Sequence, residues 1–143
     1  MSSLVTLSQF RYTIGVDRGS GRPKPLEWVG SSKKDLKALP GEVMDVFGYA
    51  LYLAQTRGRH PQSKPLHGLG SGVVEVVEDW HGNTYRAVYT VRFPERVFVL
   101  HVFQKKSKSG IATPKPDIDL IRQRLKAAAD RVKELKNEEA QGE

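Results

Sequence analysis

Thr84-Tyr85-Arg86-Ala87-Val88-Tyr89-Thr90-Val91-Arg92-Phe93 alternates through its whole length. Side chains on a strand point to opposite faces in turn. Tyr85, Ala87, Tyr89 and Val91 therefore share one face, and Thr84, Arg86, Val88, Thr90 and Arg92 the other. One face is apolar and the other carries Arg86 and Arg92 among threonines, which is the pattern of a half-buried sheet strand. Upstream, Val73-Val74-Glu75-Val76-Val77-Glu78 reads as a strand, joined to the first by a turn over Asp79-Trp80-His81-Gly82-Asn83. Downstream, Pro94-Glu95 turns the chain into Val97 to Phe103, apolar on both faces and so a central strand. These three segments predict an antiparallel meander.

Helical periodicity lies on either side. Leu26-Glu27-Trp28-Val29 is a short first strand, and Ser32-Lys33-Lys34-Asp35 fits a capping box that opens a short helix packing Leu36 and Leu39 and ending at Pro40. Val43, Val46, Phe47, Ala50, Leu51 and Ala54 give the next helix one apolar face, with Gly58 as its stop. Arg59 to Gly72 reads as a long polar loop. After Thr113-Pro114-Lys115-Pro116, the stripe Ile118, Ile121, Leu125, Ala128, Val132 and Leu135 predicts an amphipathic last helix. The expectation is an α+β fold, with two N-terminal helices and a C-terminal helix packed on a small antiparallel sheet and the helices on one face. Residues 1–25 read as a leader, either a flexible segment or an added strand over Leu4 to Ile14. Residues 26–136 form the domain, and residues 137–143 a frayed tail.

Charge is unevenly spread. Val46 to Val74 holds Arg57, Arg59 and Lys64, and Arg96 to Pro116 holds Arg96, Lys105, Lys106, Lys108 and Lys115, with no acidic residue in either. These stretches account for the whole net charge of +7. Localised positive charge suits a polyanion partner. The chain has no cysteine, which removes disulfides and thiolate chemistry. Its four histidines, His60, His67, His81 and His101, are not spaced as metal ligands, so no metal or cofactor is expected. No apolar run is long enough to span a bilayer, and the expected location is cytoplasmic.

If the second and third strands pair through Pro94-Glu95, Arg86 lies beside Phe103 to Lys106. Arg86, Lys105 and Lys106 then converge at one sheet end, where a phosphate would fit. Pairing of Arg86 with Glu75 or Glu78 on the neighbouring strand is an equal alternative.

The ordered set Lys64-Pro65-Leu66-His67-Gly68-Leu69-Gly70-Ser71-Gly72-Val73-Val74-Glu75, Gly82-Asn83-Thr84-Tyr85-Arg86-Ala87-Val88-Tyr89, Leu100-His101-Val102-Phe103-Gln104-Lys105-Lys106-Ser107 and Thr113-Pro114-Lys115-Pro116-Asp117-Ile118 resembles the RelE/ParE superfamily of toxin–antitoxin toxins, in its phage-protein-like, HigB-like branch. The resemblance spans about residues 26–128. It implies a toxin that cleaves mRNA in the ribosomal A site, and a cognate antitoxin of the helix-turn-helix DNA-binding kind. It implies catalytic roles for Arg86, Lys106 and Lys105, with Lys64 in an RNA-contacting loop. Arg59, His60, His67 and Lys108 are further candidates for RNA contact, and Lys64 and His101 are alternative candidates for proton transfer, although a satisfied sheet histidine is the more general reading of His101. The chain departs from the RelE pattern by offering lysines, and no arginine or tyrosine, after the third strand. Two other functions share the fold: a ParE-like gyrase inhibitor and a non-catalytic RNA- or protein-binding module.

Overall fold

The computed structural model describes residues 22–105 and 112–142. The proposed leader strand over Leu4 to Ile14, together with Lys106 and Lys108, lies outside the described residues. The elements run β1 (Leu26–Trp28), α1 (Ser32–Lys37), α2 (Gly41–Gln55), β2 (Ser63–Pro65), β3 (Val73–Trp80), β4 (Asn83–Thr90), β5 (Val97–Lys105) and α3 (Lys115–Gln141). The strands form one sheet in the order β1-β5-β4-β3-β2. The β3–β4–β5 meander is as expected, with β5 between two neighbours. The sheet is mixed rather than antiparallel, because β1 lies parallel to β5, with Leu26 opposite Val97. Within Arg59 to Gly72, Ser63–Pro65 forms an edge strand on β3 instead of remaining loop.

The helices are divided between two faces. Leu36 of α1 and Val43, Phe47, Ala50, Leu51 and Ala54 of α2 pack on Val74, Val76, Tyr85, Ala87, Tyr89, Val97 and Val99. On the other face, Ile121, Leu125 and Ala128 of α3 cover Val73, Val88, Phe98 and Leu100. Apolar residues on both faces of β5 permit this three-layer arrangement. Truncating a fully buried ring such as Phe47 to alanine would cost about 3–5 kcal/mol.

Local chemistry explains the boundaries. Pro40 and Pro114 stand immediately before α2 and α3, as N-caps. α2 closes in a Schellman motif: Gly58 N–H donates to Leu53 O and Arg57 N–H to Ala54 O. The left-handed residue is Arg57, at φ 69°, so the stop precedes the glycine expected to supply it. The capping box at Ser32 does not form. Ser31 is the N-cap of α1, its hydroxyl donates to the Asp35 carboxylate, and buried Ser32 donates to Val99 O. β3 continues to Trp80, so the β3–β4 turn is only His81-Gly82, both at positive φ, the geometry of a type I′ hairpin. Trp80 packs at the edge of the core and donates to Glu42. α3 runs on to Gln141, through the stretch expected to fray.

β5 contains a bulge. Val88 faces His101 and Tyr89 faces Val99, leaving Leu100 as an extra residue. Before the bulge Phe98 points to the α3 face. After it, His101, Phe103 and Lys105 do, because they stand opposite Val88, Arg86 and Thr84. Unbroken alternation would have aimed these three side chains at α2.

Candidate functional site

The site lies on the α3 face, beyond the end that α3 covers. Register builds it in rows. Lys64, Glu75, Val88 and His101 stand side by side across β2, β3, β4 and β5. Val77, Arg86 and Phe103 form the next row, and Asp79, Thr84 and Lys105 the one after. A hollow of about 430 Å³ opens here, lined by Lys64, His67, Glu75, Arg86, Thr113 and Ile118 among others.

Its floor is ionic. Arg86 Nη1 donates to Glu75 Oε2 at 2.7 Å and to Thr113 Oγ1 at 3.1 Å, and Thr113 Oγ1 donates to the same Glu75 oxygen at 2.6 Å. Arg86 and Glu75 are 4% and 2% exposed at the side chain, so both charges are desolvated. Of the two expected fates of Arg86, pairing with Glu75 is the one observed. The pairing neutralises the guanidinium at the back of the hollow and leaves the exposed Lys64 and His67 at its rim.

Beside this floor, His101 Nε2 lies 2.8 Å from Asp117 Oδ1, in the first turn of α3. The His101 ring stacks on Phe103 with centroids 4.3 Å apart. With Nε2–H donated to the carboxylate, Nδ1 is the lone-pair nitrogen. It is buried and has no hydrogen-bond partner among the described residues. Burial pulls the His101 pKa below the ordinary histidine value, and the nearby Arg124 adds to this. The hydrogen bond and charge of Asp117, and to a smaller extent the charge of Asp35, oppose it. Burial prevails, so the ring is neutral at pH 7 and chemically able to accept a proton.

The sequence candidates separate in space. Arg86, Lys105, Lys64, His67 and His101 share the α3 face. Lys105 is buried, 8% exposed, rather than standing in a basic exit loop. Arg59 and His60 belong to the other side. Arg59 lines a separate hollow with Pro65, Val74 and Tyr89. His60 packs edge-on against Tyr49 of α2, at 5.7 Å between ring centroids. Glu75, Thr113 and Asp117 are site residues that the charge reading passed over. Glu75 was legible only as a partner for Arg86. Asp117 was hidden because its partner, His101, is brought round by a bulge that alternation does not signal.

A family model for phage-derived proteins, "Phage derived protein Gp49-like (DUF891)", matches residues 34–126. The chain belongs to the Gp49-like family. This family is part of the RelE/ParE-like toxin superfamily. The match begins within α1 and ends within α3, so it contains β2–β5 and every residue of the hollow. No curated protein and no solved structure was found to match the chain. Among the described residues, no helix is long and apolar enough to cross a membrane.

Proposed function

We propose that this Gp49-like protein is the toxin of a toxin–antitoxin pair, of the HigB-like kind, and that it cleaves mRNA on the ribosome at the hollow on the α3 face. The observation that carries the reading is the hollow itself. Lys64 and His67 stand at its mouth, and Arg86 lies at its back with Lys105 one row away. RNA brings its own nucleophile, the 2′-OH, so cleavage requires in-line positioning, charge stabilisation at phosphorus and proton transfer. Lys64 is the exposed cation placed to meet an incoming phosphate. Arg86 reaches the same anion only if Thr113 and Glu75 yield part of its guanidinium, so in this reading substrate entry opens the ionic floor. Neutral His101, held by Asp117, is the candidate proton acceptor once substrate entry also uncovers its buried Nδ1. Lys106 enters by resemblance alone, as the group acting on the scissile phosphate. A helix-turn-helix antitoxin, with acidic or apolar segments against the basic rim, completes the proposal.

The test is primer extension on mRNA in a reconstituted translation reaction, with and without ribosomes. New 5′ ends that appear only with ribosomes, and that vanish in Lys106→Ala, are expected. Intact mRNA under active translation would contradict the reading. One observation favours a second reading, a ParE-like gyrase inhibitor or other non-catalytic module: the buried Glu75 already neutralises Arg86. Loss of gyrase supercoiling activity with mRNA left intact would favour the gyrase inhibitor, and both activities left intact the non-catalytic module.

A further inference from the structure

The bulge in β5 decides which way the site residues point, and α3 holds it. Arg124 Nη1 donates to the carbonyl of Leu100, the extra residue, at 2.9 Å, and Arg124 Nη2 donates to Ser31 Oγ at 3.1 Å. Val99, the preceding residue, has its carbonyl bound by Val29 N–H at 3.0 Å and by the Ser32 hydroxyl at 3.2 Å. Gly30 makes room for the guanidinium: a Cβ built on Gly30 would lie 2.8 Å from three atoms of the Arg124 side chain, and Gly30 adopts φ +57°. Three features thus converge on one side chain: a bulge whose odd carbonyl needs a donor, a planar fork that supplies it, and a glycine that leaves the space. Asp117, two helical turns earlier on α3, holds the His101 ring.

We propose that Arg124 is a positioning residue for this site: by binding the Leu100 carbonyl it fixes the β5 bulge that turns His101 and Lys105 onto the face of Arg86. Arg124 itself stands outside the hollow and touches none of its lining residues by hydrogen bond. Its role in cleavage rests on the nuclease reading, whereas its role in holding the bulge does not. The charged groups acting on the His101 ring are Asp117 and Arg124 from α3 and Asp35 from α1. Removing the Arg124 cation therefore lets the His101 pKa rise, and removing the fork lets the bulge move.

The experiment compares the natural chain with Arg124→Gln and Arg124→Lys, each checked for folding by circular dichroism. The ring signals of His101 are followed by NMR through a pH titration, with amide exchange at Phe103 and Lys105. The expected result is an upward shift of the His101 titration in Arg124→Gln and a smaller one in Arg124→Lys. Amide exchange is faster in both. Ribosome-dependent cleavage falls on the order of 100-fold in Arg124→Gln, as expected when reacting groups are displaced by about 1 Å. Folded variants whose His101 signals and β5 exchange match the natural chain would overturn the proposal. So would full cleavage activity despite a moved ring. An inactive natural chain would end the nuclease reading while the NMR comparison still judged the bulge. Should the Arg124 variants fail to fold, Ser31→Ala removes the exposed half of the anchor. Faster amide exchange at Phe103 and Lys105 then supports the proposal, and exchange that matches the natural chain overturns it.

Discussion

Arg86 and Glu75 form a pair whose value depends on both members being present. Breaking a buried pair strands the remaining charge, which costs about 3–5 kcal/mol, whereas replacing both partners with apolar groups of similar size is often neutral. Glu75→Ala is accordingly expected to lose that much stability in urea denaturation, and Arg86→Met combined with Glu75→Leu to recover most of it. A loss below about 1 kcal/mol in Glu75→Ala would show that the pair is hydrated rather than buried. His101 makes a separate, pH-dependent contribution. Its folded pKa is lowered by burial, so the unfolded chain binds the proton more readily. Its contribution to stability is fully present above the unfolded value of about 6.5 and is lost as pH falls through the lowered folded value. His60 is shifted in the same direction by burial, so the measurement is the difference between the natural chain and His101→Gln. The stability–pH slope below about 6.5 is expected to be shallower in the variant; an equal slope would remove His101 as its source.

At the scale of elements, the meander was legible because β4 obeys period two over its full length, and α2 and α3 because their apolar stripes keep helical spacing. Three features were not legible, each for a physical reason. β1 is three residues long and gives no signal of its direction. Ser63–Pro65 contains a proline and polar residues, and is a strand only because β3 offers it an open edge. The β5 bulge shifts the pattern by one residue inside a segment that is apolar on both faces, where such a shift leaves no trace. Strand pairing alone thus sets Arg86 beside Phe103, whereas the contact of His101 with Asp117 depends on the bulge. The glycines give a test of the turns. Gly82, at φ 80°, has open space where a Cβ would go. Gly82→Ala therefore bears only the left-handed backbone penalty, about 1–2 kcal/mol. Gly72, at φ 77°, would press a Cβ to 2.9 Å from the backbone N and Cα of Arg92. Gly72→Ala is expected to lower the melting temperature by more than Gly82→Ala; the reverse order would mean that the Gly72–Arg92 contact relaxes freely.

Across the whole molecule, the fold divides the cations of the basic stretches between two faces. Lys64 and His67 border the hollow on the α3 face, whereas Arg59 lines a hollow on the α2 side. Binding of single-stranded RNA should weaken steeply with salt, with a slope of about −0.7 in log–log form for each phosphate contacted. Lys64→Ala should make that slope shallower by about one contact, and salt-insensitive binding would point to another surface. The most direct test compares two exposed cations that are equivalent in sequence terms and separated only by the fold. Ribosome-dependent mRNA cleavage is measured by primer extension for the natural chain, Lys64→Ala and Arg59→Ala, all shown to be folded. If the α3-face hollow is the site, Lys64→Ala loses most of the cleavage and Arg59→Ala retains it. Cleavage that survives in Lys64→Ala and fails in Arg59→Ala would place the chemistry on the opposite face and contradict the account.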